Sequence, residues 1–269
     1  MISANLVNDL TSIPVVRRLL KWYAGRYEEG SVARIPSGHA AGMKWKRHHR
    51  HVNGYWTGVY EPELQKALAG LLRPGMVFYD IGANAGFFTV LAAKLVADRG
   101  RVISFEPLPE NAESVRAQIE INNLVHCELI TAAVSDRRGT SFFVFGENNS
   151  QSQLSEDGID PFSGDKTEFR VETVKLDEFI ESHPRPDVIK IDVEGAETEV
   201  LAGADELLRV ANRPALIIEL HGETKAIAVH QMLTDCGYAI RDLEGQRLLD
   251  GMHGCGHIVA TSDVAVLGS

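Results

Sequence analysis

Cysteine is scarce in this sequence: three in 269 residues, at Cys127, Cys236 and Cys255. An odd, widely spaced set without a C-x-x-C pair argues against a disulfide framework or a structural zinc site and suits a reducing compartment. Basic residues are in deficit. Twenty-seven Lys and Arg stand against 37 Asp and Glu, a net charge of −10. Such a surface repels a phosphate backbone, so nucleic acid is not an expected partner. Also missing are an apolar run of about 20 residues, which a membrane span needs, and an N-terminal apolar stretch with a cleavage site. The expectation is a cytoplasmic chain without a membrane partner. Aromatics are only 7%, yet the 44% hydrophobic and 24% charged residues are those of an ordinary globular protein. A core of usual size can be buried.

No internal repeat is present. Residues 1–55 differ from the rest: short apolar bursts precede a basic run, Lys44-Trp45-Lys46-Arg47-His48-His49-Arg50-His51. They read as a short helix near 5–24 followed by irregular chain, an extension fit to be a cap, a lid or the arm of a homodimer. The basic run reads first as a solvated loop and second as an anion-facing segment. From about residue 61 strands and helices alternate. Helices are expected near 61–72, 87–97, 109–123, 197–209 and 223–236. Strands are expected near 76–81, 101–105, 128–134, 187–192, 215–220, 238–242 and 256–261. Pro74-Gly75 stops the first helix, and Val200, Leu201, Ala204, Leu207 and Leu208 make a core-facing stripe. This alternation predicts a doubly wound, Rossmann-like α/β sheet over 56–269. Residues 135–180 break the rhythm and read as an inserted β-hairpin, 140–145 with 169–176, around a polar loop at 146–168. A loop of that length is usually functional or disordered.

Three acidic turns carry the chemistry. Asp80-Ile81-Gly82-Ala83-Asn84-Ala85-Gly86 follows a strand and opens a helix. Glycines let the backbone turn sharply and approach a ligand, and a helix N-terminus offers free N–H groups. The spacing is G-x-N-x-G, not the dinucleotide G-x-G-x-x-G. The preceding carboxylate is awkward beside a pyrophosphate and suits an ammonium-bearing ligand; a plain strand-to-helix turn is the bland alternative. Glu106 ends the next strand, twenty residues after Gly86. An acid there can accept hydrogen bonds from ribose hydroxyls, or simply favour a helix N-terminus. The stretch from Ile189 to Glu197 places Asp192 and Glu194 just beyond a strand end, where ligands sit in open α/β sheets. Helix capping is their competing use. Glu197 and Glu199 read as surface helix residues.

D-I-G-A-N-A-G, F-E-P-L-P-E-N, I-K-I-D-V-E-G-A-E and I-I-E-L-H, in that order, resemble the FkbM family of class I methyltransferases, which depend on S-adenosylmethionine (SAM). The resemblance covers about 58–222. It implies that Asp80, Gly82, Asn84 and Gly86 line the methionine end of SAM, with Asp192 facing the same crevice, and that Glu106 holds the ribose. Tyr60-Glu61 resembles a pair that puts Glu61 at the cofactor, and Asn149-Ser150-Gln151-Ser152 resembles a polar loop that brings Ser150 to cofactor or substrate. The sequence departs from many class I enzymes after the third strand, where Thr131-Ala132-Ala133 offers no acid near the adenine.

The resemblance implies methyl transfer to a hydroxyl of a small molecule, sugar or glycan, or natural product. Nitrogen or carboxylate acceptors are the alternative within the fold; a non-catalytic SAM-binding protein and a NAD-dependent oxidoreductase are alternatives of another class. A hydroxyl must lose its proton at or near transfer. The candidate bases are Asp192, Glu194, Glu219 and His221, with Asp192 and His221 preferred. No metal site is expected; Mg²⁺ at Asp192, Glu219 and His221 is the weaker reading, and a metal at His48, His49 and His51 weaker still.

Overall fold

The computed structural model describes residues 27–145, 152–155, 168–248 and 256–262. The helix expected near 5–24, Ser150, Cys255 and most of the polar loop lie outside the described residues. The chain divides into two compact units, Met1–Tyr60 and Glu61–Ser269.

In the first unit the basic run is not a plain loop. Strand β1 (Val32–Arg34) pairs antiparallel with β2 (Lys44–Lys46), followed by a single helical turn, α1 (Gly54–Thr57). Trp45 sits between two lysines, so the alternation of a strand sends the indole inward, where it is 1% exposed and packs against Tyr55. Arg47 lies over the rings of Tyr27 and Trp56. The His48 ring and the His49 backbone N–H both meet the Glu29 carboxylate.

The second unit follows the expected alternation. Helix α2 (Pro62–Leu71) leads to β3 (Val77–Ile81), α3 (Phe87–Val96), β4 (Arg101–Phe105), α4 (Pro109–Asn122) and β5 (Cys127–Ile130). Then come β6 (Ala133–Val134), β7 (Gly139–Phe145), β8 (Ser152–Ser155), β9 (Glu168–Val174) and the short α5 (Leu176–Phe179). Strand β10 (Val188–Ile191), α6 (Glu197–Ala202), α7 (Asp205–Arg209), β11 (Ala215–Leu220), α8 (Glu223–Asp235), β12 (Ala239–Asp242) and β13 (Gly256–Thr261) complete it. Seven strands form one sheet in the order β12-β13-β11-β10-β3-β4-β5, parallel except where β13 runs against β11 and β12.

The central strands are buried on both faces, as a parallel sheet covered by helices requires. Tyr79, Ile81, Ile103, Ile189 and Ile218 join one apolar cluster with Val200, Leu208, Val229 and Leu233 of α6 to α8. The alternate positions face the other way, where Asp80 meets Thr89 of α3. The chain winds from β3 outward to β5, then returns to β10 on the other side of β3. The ends of β3 and β10 therefore flank the point where the winding reverses, the place an open α/β sheet binds its ligand.

Three elements of this unit differ from expectation, the first being β8, which pairs with β7 inside the span expected to be a polar loop. The strand expected at 128–134 is two: β5 stays in the main sheet, and β6 joins a second sheet of order β6-β9-β7-β8. The inserted hairpin, β7 against β9, belongs to that sheet. The helix expected over 197–209 breaks at Gly203, where an added Cβ would lie 2.0 Å from the Ser135 carbonyl oxygen. Asp177 then accepts the N–H groups of Glu206 and Leu207, satisfying the first turn of α7.

Candidate functional site

The ends of β3 and β4 make one half of the site. Asp80 is fully buried, and its carboxylate accepts the Thr89 hydroxyl at 2.7 Å. Thr89 and Ser104 of β4 share a hydrogen bond of 2.8 Å. The register places Lys190 of β10 beside Asp80, and its ammonium, 2% exposed, lies 3.3 Å from Asp80 and 3.4 Å from Asp192. The same nitrogen donates to the Gly82 carbonyl at 3.0 Å. Burial alone would pull the Lys190 pKa down; the carboxylates of Asp192 and Asp80 more than reverse this and hold it above the usual lysine range. Asp80, expected at the cofactor, lies buried beneath the turn with Thr89 and Lys190 as neighbours, where it braces the loop from inside.

That loop is fixed by its own contacts. Gly82 has φ +77, and an added Cβ would lie 1.8 Å from the Asp192 carbonyl oxygen, so the turns after β3 and β10 touch backbone to backbone there. Gly86 is the N-cap of α3. Asn84 adopts φ 50 and points its N–H to Glu106 Oε2 at 2.8 Å. The other Glu106 oxygen accepts the Leu108 N–H at 3.0 Å. The Asn111 side chain gives the carboxylate a third hydrogen bond, so of its about four lone-pair sites one stays open to a ribose hydroxyl. Burial, opposed by these hydrogen bonds, pushes the Glu106 carboxyl up to about 7.

The ends of β10 and β11 make the other half. Asp192, Glu219 and His221 each offer one ligand atom, and these atoms lie within 4.8 Å of one another. They could share protons or hold a cation. The acids around this point also suit the cationic end of SAM. Burial, and then the charge of Asp192, push the Glu219 carboxyl up to about 7. Glu194, at φ 51, brings its carboxylate 3.5 Å from His221 Nε2, and burial raises its pKa. Neither Asp192 nor Glu194 caps α6; the N-cap is Ala196, without a side-chain bond. Glu61 enters from the N-cap of α2, 3.6 Å from His257 Nε2 of β13.

Three residues of the site were missed by sequence reasoning, Glu197 and His257 in this half and Lys190 in the other. Glu197 is not a surface residue: it is fully buried and holds His221 Nδ1 at 2.7 Å. Its position at i+3 from Glu194 gave no hint of this. His257 faces Glu219 across the β11–β13 pair at 3.5 Å, a meeting only the antiparallel register creates. Lys190 did carry a signal, being one charge inside an apolar strand, V-I-K-I. Phe87 and Phe88 are buried, as core residues should be.

Comparison with known proteins bears on this arrangement. The family model described as the methyltransferase FkbM domain matches residues 80–240, more than half of the chain. The hexuronic acid methyltransferase AglP of Haloferax volcanii is 27% identical over 161 residues, covering 59% of this chain and 62% of AglP. Methyltransferase 1 of Beauveria bassiana is 25% identical over 144 residues, 47% of this chain and 57% of the relative. The chain thus spans less than two thirds of the length of these curated relatives. The crystal structure of an FkbM methyltransferase from Methylobacillus flagellatus matches 94% of this chain and 61% of its own, at 15% identity and a TM-score of 0.48. The four motifs of the crevice all fall within or beside the matched span, and the chain belongs to the family of FkbM methyltransferase domains.

Proposed function

We propose that this chain is a SAM-dependent methyltransferase that methylates a hydroxyl of a small molecule, sugar or natural product. Family membership supports the reaction class. The observation that carries the acceptor class is the half-buried group of Asp192, Glu219 and His221 at the switch point, which can take up a hydroxyl proton. AglP is by name a hexuronic acid methyltransferase, so uronic acids and their glycosides are the first acceptors to try.

When bound, SAM supplies a methyl group already activated by its sulfonium, so transfer is an in-line displacement. The protein's work is to position the partners and manage one proton. Glu106 would hold the ribose through the acceptor capacity that Asn84, Leu108 and Asn111 leave free. Lys190 and Asp80 hold the turn at Gly82 from beneath. Glu219, with a pKa of about 7, is the proton acceptor suited to neutral pH. The hydrogen bond that His221 donates to Glu197 raises its pKa to about 9, so the ring is protonated at pH 7 and acts as a donor that orients the acceptor oxygen. Asp192 keeps Glu219 basic through its charge, and Glu194 balances the imidazolium.

The test is transfer from methyl-labelled SAM into pools of polyols, glycosides and uronic acids. Label on oxygen is the expected result; label confined to nitrogen or to carboxylates would overturn the hydroxyl reading. Thermal stability supplies the cofactor arm. A ligand at about 100 times its Kd stabilises by roughly 2.7 kcal/mol. SAM and S-adenosylhomocysteine should shift the transition, and a shift with NAD alone would reject SAM.

A further inference from the structure

Glu197 presents a physical problem. It is fully buried on α6, and a buried carboxylate is costly unless paired. Among the described residues its hydrogen-bond partners are the Gly195 N–H at 2.9 Å and His221 Nδ1 at 2.7 Å, both on Oε1, while Oε2 has none. The ion-pair partner of this buried carboxylate among the described residues is His221, at the end of β11. Glu197 also serves the start of α6, as a first-turn acid that takes the Gly195 N–H, but that role does not call for His221 on the same oxygen. What the contact does fix is the ring. With Nδ1–H given to Glu197, Nε2 points between Glu194 at 3.5 Å and Glu219 at 3.8 Å.

We propose that Glu197 is a positioning residue for the methyl transfer: it holds the protonated His221 ring in one orientation, so that Nε2–H faces the acceptor beside Glu219. This rests on the hydroxyl-methylation reading above. The logic is that of a buried carboxylate behind a catalytic imidazole. Charged groups reach His221 from every side: Glu197 from α6, Glu194 from the turn after β10, Asp192 from the end of β10, Glu219 from its own strand and His257 from β13. Among the described residues Glu197 takes Nδ1, while Glu194 and Glu219 lie at Nε2. Losing Glu197 frees the ring to rotate, and Nε2 leaves the acceptor.

The experiment follows the His221 ring nitrogens by ¹⁵N NMR in the full chain, alongside methyl transfer at saturating SAM. The wild-type ring should titrate near 9. Glu197→Gln keeps the accepting oxygen and removes the charge. It should move the midpoint down by one unit or more, keep the Nδ1–H signal and lower kcat by about tenfold. Glu197→Ala should lose the Nδ1–H signal as well and lower kcat by about a hundredfold. SAM affinity should stay within about twofold in both. An unmoved titration and Nδ1–H signal in the variants would overturn the proposal, as would a shifted ring with unchanged kcat and pH profile. Should the alanine variant not fold, the isosteric glutamine variant decides. Should no hydroxyl acceptor be methylated at all, the functional reading fails while the NMR still reports on Glu197 and His221.

Discussion

Around β3 and β4 the charged groups are sealed in: Asp80 and Lys190 are together almost free of solvent, and Glu106 is 4% exposed. At the ends of β10 and β11 the side chains of Asp192, Glu219 and His221 keep 22–30% of their surface. The first half holds backbone. Its charges bond to Gly82, Asn84 and Leu108 and fix a loop. The second half holds protons. Its groups face one another, and two have affinities within about two units of neutrality. A binding surface needs rigidity, which burial supplies. A proton-handling surface needs groups that change charge while facing one another and the crevice; Glu106 also ionises near 7, but its oxygens are committed to backbone N–H groups.

The sharpest way to break this contrast is Lys190→Met. It strands Asp80 in the interior and orphans the Gly82 carbonyl, and removing one partner of a buried pair costs about 3–5 kcal/mol. Urea unfolding should show this loss, with much of it recovered on adding Asp80→Asn. A second strike falls on the other half. Glu219→Gln should lower kcat by about 10²–10⁴ while changing the SAM Kd little, as the role proposed for Glu219 on the acceptor requires. A change mainly in Kd would move Glu219 to the binding half.

Glu106→Gln should have a smaller effect, a loss of about 1–3 kcal/mol in SAM binding, measured by titration calorimetry. The pH dependence sharpens it. Ribose hydroxyls bond best to the ionised carboxylate, and Glu106 ionises near 7. Affinity should therefore fall below pH 7, by up to about tenfold per unit, and Glu106→Gln should flatten that profile. The free protein carries the opposite sign. The Glu106 pKa is raised on folding, so its contribution to stability is full below about 4.5 and is lost as the pH rises through 7. The gentlest test is the activity profile: kcat should rise through about 7 as Glu219 ionises and fall through about 9 as His221 loses its proton. These apparent values belong to the coupled group as a whole.

The sequence alone determined the alternation of β3 to β11, because parallel strands buried on both faces read as unbroken apolar runs and the helices between them carry a periodic stripe. It also marked Glu106, Asp192, Glu194, Glu219 and His221, since acids and histidines at strand ends stand out against such runs. It did not reveal that β5 and β6 part into separate sheets, because apolar residues continue through both. Nor did it separate Asp80 from Asp192: both end a strand, and only the packing of Thr89 and Lys190 sends one inward and leaves the other at the crevice. The burial of Glu197 and the approach of His257 were likewise decided by tertiary structure. Each depends on a partner 24 or 38 residues distant in sequence, and no local pattern encodes which distant partner will neutralise a charge.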